Sequence, residues 1–105
     1  MLSEMQIEKL RNLLKKNSHE RLPVIFNALG DPCRFFIFQL LLLQKEVCVT
    51  DVAKVCKISV SAASQQLKIL ELTGIVIKER MGQMVCYALK EKDPMIRTLI
   101  KIIPQ

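Results

Sequence analysis

The stretch "TDVAKVCKISVSAASQQLKILELTG", residues 50–74, holds two helical patterns parted by a short break. Thr50 with Asp51 opens a short helix running to about Cys56. Ser59 caps a longer helix from Val60 to Thr73, and Gly74 terminates it. A short helix, a three-residue turn and a longer helix form a helix-turn-helix, whose second helix enters the major groove of DNA. At about 100° per residue, Val60, Ala63, Leu67 and Leu70 share one narrow sector and are expected to pack inward. Ser61, Gln65 and Lys68 fall opposite, with Ala62 near them.

That outer face is short, polar and mostly uncharged, which suits a helix that places amides at base edges. Glutamine pairs bidentately with adenine N6 and N7, serine meets bases or phosphate, and an alanine methyl touches thymine. The free N–H groups at the helix start favour a phosphate. The candidate DNA-reading set on this helix is Ser59, Val60, Ser61, Ala62, Ser64, Gln65, Gln66 and Lys68. The competing reading is a plain solvated helix surface.

Downstream the period changes from about 3.6 to 2. "IVIKER" (75–80) and "MVCYAL" (84–89) are strand-like runs around "MGQ", with Gly82 in the turn and Val85, Tyr87 and Leu89 on one face. Lys78 and Arg80 leave the first strand on a common face and Gln83 sits at the tip, so all three are candidate phosphate or minor-groove contacts. Glu79 interrupts this basic run, and an ordinary exposed hairpin is the alternative.

Upstream, residues 4–16 place Ile7, Leu10 and Leu14 at helical spacing with Leu13 beside them, an amphipathic helix. "KNSHER" (16–21) breaks that pattern, and Leu22, Ile25, Phe26 and Leu29 resume it up to Gly30. Pro23 fits that second helix only within its opening residues. Asp31 as cap and Pro32 at the first helical position open the broadly apolar "PCRFFIFQLLLL", the expected core helix. Val47 and Val49 suggest a short extended piece. Asp93 and Pro94 restart a final helix with Met95, Ile96, Leu99, Ile102 and Ile103 in a wide apolar stripe. The expected fold is mainly α with a β-hairpin wing, α-α-α-α-α-β-β-α. One domain spans 1–105: an N-terminal helical extension (1–17), a helix-turn-helix (50–74), a wing (75–90) and a C-terminal helix (93–103).

The 105 residues imply a radius of gyration of about 13 Å if compact. Half are apolar, so added burial by self-association fits a chain of this size. A net charge of +6 points to a polyanionic partner. The longest apolar run, "FFIFQLLLL", is broken by Gln39 and falls short of the roughly 18 residues a bilayer requires. The N-terminus lacks the apolar stretch of a signal peptide, so the chain is read as cytoplasmic, with no membrane partner. Its four cysteines are accordingly expected to be free thiols.

In "ALGDPCR", "EVCVTDVA", "SVSAASQQLKILELTGIV" and "GQMVCYAL", taken in order, the chain resembles the ArsR/SmtB family of bacterial winged-helix repressors over about 60 residues. The resemblance implies a homodimer that binds an inverted-repeat operator in double-stranded DNA and leaves when an inducer arrives. It assigns dimerisation to Leu22, Ile25, Phe26 and Leu29 with Met95, Ile96, Leu99, Ile102 and Ile103, leaving the inducer open. The family's metal sites are depleted here. The arsenic-type Cys-Val-Cys-x-x-Cys run becomes Cys48, Thr50 and Ala53, and the last helix has no histidine, His19 being the only one in the chain.

No cofactor and no metal site of either familiar type is therefore expected; Cys33 and Cys48 are the weak candidates. Cys48 and Cys56 cannot share one ion, because eight residues of helix separate their backbones by about 12 Å while two sulfurs on one metal lie within about 5 Å. A small buried hydrophobe is the expected fate of each cysteine. An enzyme is not expected: no serine or cysteine has a sequence partner for activation, and the three glycines are taken by helix ends and a turn. The leading function is a dimeric DNA-binding repressor. The alternatives are a thiol- or soft-metal-responsive repressor using Cys48 with another cysteine, and a winged-helix protein-interaction module without DNA binding.

Overall fold

The computed structural model describes residues 1–17 and 20–104. Its elements are α1 (Glu4–Lys16), α2 (Arg21–Leu29), α3 (Pro32–Leu43), β1 (Val47–Cys48), α4 (Val49–Cys56), α5 (Val60–Leu72), β2 (Val76–Met81), β3 (Met84–Leu89) and α6 (Pro94–Ile102). The expected break over 16–21, with His19 in it, falls partly on Ser18 and His19, outside the described residues.

The capping residues act as their chemistry requires. Ser3 forms a capping box with Gln6. The side chains of Asp31, Ser59 and Asp93 accept from the backbone N–H of Arg34, Ala62 and Met95, each at 3.0 Å. Pro23 lies in the first turn of α2, where its missing N–H costs no helical bond.

Two local expectations need correction. The N-cap of α4 is Cys48, so Thr50 and Val49 are helical residues and neither a cap nor strand. Its cap position has no side-chain hydrogen bond, and the helix ends on Lys57 in the left-handed region at φ 56°. The hairpin also gains a third strand: β1 pairs antiparallel with β3, matching Val47 to Tyr87 and Cys48 to Cys86, and the sheet order is β1-β3-β2. The extended piece suggested at Val47 is this strand, but two residues carry no signal of which strand they pair with.

The core gathers Ile25 from α2, Ile37, Phe38 and Leu41 from α3, Val52 from α4, and Ala63, Leu67 and Leu70 from α5. Ile75, Val76, Tyr87 and Leu89 close it from the sheet side, and Ile96 and Leu99 from α6. Ile25, Ile96 and Leu99 are at most 5% exposed within the single chain, which corrects their assignment to a dimer surface. Each lies on its helix's innermost line, and the protomer's own core claims that line first. Val60, expected inward, is 48% exposed, because it starts α5 ahead of the first turn that meets the core.

The radius of gyration is 17.6 Å, above the compact expectation, and the molecule measures 60 × 25 × 23 Å. The excess comes from α1, which has no buried residue; Ile7, Leu10, Leu13 and Leu14 are 42%, 44%, 45% and 73% exposed.

Two polar junctions tie the elements together. Arg34 Nε donates to the Ala28 carbonyl at 2.7 Å and Nη1 to Gln66 Oε1 at 3.0 Å, joining α2, α3 and α5. Arg21 pairs with Asp93 at 2.5 Å and donates to the Gly74 carbonyl at 3.3 Å, joining the starts of α2 and α6 to the end of α5. Gly74 holds φ 79°, a backbone that favours glycine, and a Cβ there would stand 2.8 Å from Arg21 Nη2 and displace the end of that side chain.

Arg34→Ala is expected to cost about 1.5–3 kcal/mol, the range for hydrogen bonds to a charged group. In a denaturant cycle it should couple to Gln66→Ala by about 0.5 kcal/mol or more. Simple additivity would mean the Arg34–Gln66 bond contributes nothing. The hydrogen bond from Arg21 holds the Asp93 carboxyl below its ordinary value, outweighing desolvation. With the folded pKa depressed, the stabilisation is present above the ordinary value of 3.8 and is lost as pH falls through the folded pKa. Asp93→Asn should thus be less stable than the parent at neutral pH, with the gap closing in strong acid; a gap independent of pH would refute the pairing.

Candidate nucleic-acid interface

The two helices of residues 50–74 meet around Lys57, whose left-handed backbone turns the chain between them. The Ile58 N–H donates back to the Ala53 carbonyl at 3.0 Å, closing the end of α4. Ala63, Leu67 and Leu70 are fully buried, which settles which way α5 is rotated. Ser59, Val60, Ser61, Ser64, Gln65 and Lys68 are all exposed. Together they form a continuous polar edge along the outer side of the helix, with one apolar residue at its start.

Two members of the expected set stand apart. Ala62 is half-buried at the flank. Gln66 is half-buried too, and its Oε1 accepts the bond from Arg34, so its side chain buttresses α5 from within. This sets it apart from the other members of the candidate DNA-reading set. Gln66 lies at the border of the apolar sector, and only the presence of Arg34 decides the direction of its amide.

On the wing, β2 pairs with β3 so that Lys78 opposes Tyr87 and Arg80 opposes Val85. Val47 and Tyr87, also a pair, are both core residues, so Lys78 and Arg80 project to the core side of the sheet, where α5 lies. Gln83 is exposed at the tip beside Gly82, which holds φ 64° in the turn. A cleft of about 300 Å³ separates α5 from the wing, lined by Val49, Ser64, Lys68, Glu71, Lys78, Val85 and Tyr87. Burial and the neighbouring Glu71 push the Tyr87 hydroxyl up, so it remains a neutral donor at physiological pH. Sequence reading missed this cleft, since its walls come from residues up to 38 positions apart, from Val49 to Tyr87.

Glu79, which breaks the basic run, falls on the opposite face, in register with Cys86. Its hydrogen bond to Glu46, with desolvation and the like charge, raises the Glu46 pKa. The wing thus separates its charges: cations toward α5 and carboxyl groups away from it.

The cysteines correct a further expectation. Cys48 and Cys86 form a disulfide across β1 and β3. Cys33 and Cys56 are free and half-buried, and burial together with the nearby Cys33 raises the Cys56 thiol pKa. Cys48 therefore pairs with Cys86 and not with Cys33, because strand register places Cys86 directly opposite it. Among the described residues, no three His, Cys, Asp or Glu side chains converge to hold a metal ion. Among the described residues, no single helix is long and apolar enough to cross a membrane.

Residues 32–78 match the family model described as "Bacterial regulatory protein, arsR family". A cadmium resistance transcriptional regulatory protein CadC homolog of Staphylococcus aureus is 31% identical over 91 residues, covering 87% of this chain and 75% of that one. A transcriptional repressor SmtB homolog of Synechocystis is 38% identical over 76 residues, covering 72% and 57%. Among solved structures, the winged helix-turn-helix DNA-binding domain of a possible ArsR-family regulator from Mycobacterium bovis superposes with a TM-score of 0.70 at 23% identity, covering 96% of this chain and 82% of that one. The fold is that of transcriptional regulators and not of enzymes. A helix-turn-helix whose second helix buries its inner line, a basic wing beside it and these relationships together place the chain in the ArsR/SmtB family of DNA-binding transcriptional regulators.

Proposed function

We propose that the chain is a cytoplasmic, homodimeric repressor that reads an inverted-repeat operator with α5, holds the flanking backbone with its wing, and departs when an inducer arrives. One observation carries the reading: the exposed edge of Ser61, Ser64, Gln65 and Lys68 runs beside Lys78 and Arg80, which project to the same side. Gln65 is the base-reading residue, since its amide lies mid-helix and, unlike that of Gln66, no other side chain engages it in the described hydrogen bonds. Lys68, Lys78, Arg80 and Gln83 supply backbone contacts, Ser59 and Ser61 meet a phosphate at the helix start, and Val60 and Ala62 offer apolar contact to a thymine methyl. Repression is also the function in the name of the Synechocystis relative.

The dimer follows from uncovered apolar surface. The Mycobacterium bovis domain of the same fold is described as homodimeric. Here α1 exposes its apolar stripe, and Val24 and Phe26 on α2 and Ile102 on α6 are 50%, 58% and 67% exposed. Of the residues expected at the interface, Phe26 and Ile102 are free to serve, with half-buried Leu22, Leu29, Met95 and Ile103 at the margins. A two-fold axis through this surface sets two recognition helices about one turn of DNA apart. The protein-interaction alternative is disfavoured by net charge +6 and by the sorting of wing cations toward α5.

Fluorescence anisotropy against the DNA upstream of its own gene should show binding to an inverted repeat that weakens steeply with salt. Gln65→Ala should cost about 1–3 kcal/mol and relax preference at one position per half-site. Lys78→Ala should weaken all sequences alike and reduce the salt slope by about one. Identical binding by Gln65→Ala and parent on every sequence would reject the assigned role of α5. In sedimentation, Phe26→Glu combined with Leu14→Glu should give monomers where the parent sediments as a dimer; an unchanged dimer would place the interface elsewhere.

A further inference from the structure

The Cys48–Cys86 bridge lies where the helix-turn-helix and the wing meet. Cys48 ends β1 and is the N-cap of α4, the first helix of the DNA-binding unit. Cys86 lies within β3, the middle strand of the sheet, and its other cross-strand neighbour is Glu79 of β2. The two cysteines are 38 positions apart, and the segment between them holds α4, α5 and β2, nearly all of the DNA-reading surface.

Apart from the core packing of Val47, Val52 and Tyr87, few polar contacts hold that junction. The β1–β3 ladder consists of two residue pairs, and the N-cap of α4 has no side-chain hydrogen bond. Access is asymmetric: Cys86 is 1% exposed, whereas Cys48 is partly exposed. Cys48 is thus the more accessible partner and Cys86 the buried one, which suits the roles of an attacked and a resolving cysteine.

We propose that Cys48 and Cys86 form a reversible dithiol–disulfide couple whose exchange partner is a low-molecular-weight disulfide, and that the bridged form binds DNA more tightly. Closure runs in two steps. The Cys48 thiolate attacks the small disulfide, forming a mixed disulfide and releasing one small thiolate. The Cys86 thiolate then attacks the Cys48 sulfur, forming the Cys48–Cys86 bond and releasing the second. Two protein thiols give up two protons and two electrons, and the small disulfide takes up both to become two thiols. The bridge fixes the wing against the start of α4, so Lys78 and Arg80 are held in place relative to α5 before DNA arrives, and less freedom is lost on binding.

The inference rests on the DNA-binding reading, and its test separates the two. The full chain is equilibrated across ratios of reduced to oxidised glutathione, quenched by alkylation and mapped by mass spectrometry. Cys48 and Cys86 should lose alkylation together as the oxidised form rises, while Cys33 and Cys56 remain modified. Anisotropy on the same samples should show the bridged form binding at least about fivefold tighter, the lower end of ordinary coupling between linked sites. Hydrogen exchange should show greater protection at Val47–Val52 in the bridged form. Cys48→Ser should bind like the reduced parent under every condition, and Cys33→Ser should keep the full response. Closure at any other pair, equal affinity of the two forms, or tighter binding by the reduced form overturns the proposal. Should neither form bind DNA while Cys48 and Cys86 close and protection changes, the couple stands and the DNA-binding reading falls.

Discussion

Burial of Ala63, Leu67 and Leu70 against the core that Ile37, Phe38 and Leu41 build is the interaction on which the rest of the molecule depends. These three residues lie on one line of α5, and their complete exclusion from water fixes the helix's rotation. Once that rotation is set, Ser61, Ser64, Gln65 and Lys68 face outward as a matter of geometry. At roughly 25 cal/mol per Å² of apolar surface, burying each leucine is worth on the order of 2 kcal/mol, more than any rim contact on the outer face supplies. The outer face of α5 is therefore oriented from beneath, by residues on its buried side.

Polar junctions refine what the apolar core sets. Arg34 reaches both the end of α2 and Gln66 on α5, so α5 is pinned at its flank as well as its base. Arg21 does the same for the end of α5 through Gly74, and couples that point to the cap of α6 through Asp93. One arginine thus links the start of α6 to the end of α5. The wing attaches on the other side, through a sheet whose weakest ladder is the β1–β3 pairing that the disulfide spans.

How much of this was legible in the chain differs by scale. The helix starts at Asp31, Ser59 and Asp93 were readable because a capping side chain acts within three residues of itself. Cys48, by contrast, caps α4 without its side chain, and Thr50 looked the better cap on chemistry alone. Ile25, Ile96 and Leu99 show the same limit: an apolar stripe announces that a face will be buried, and says nothing about whether the protomer or its partner will bury it.

The sequence by itself determined the order of the helices and the hairpin, the inward line of Ala63, Leu67 and Leu70 on α5 and the family, because periodicity, caps and linked motifs are local or nearly so. Tertiary structure alone decided that Gln66 turns inward to Arg34 and that Cys48 meets Cys86, since each contact joins residues more than thirty positions apart. Strand register is what settles the second, as a slip of one residue would have carried Cys86 to the opposite face and left both thiols apart.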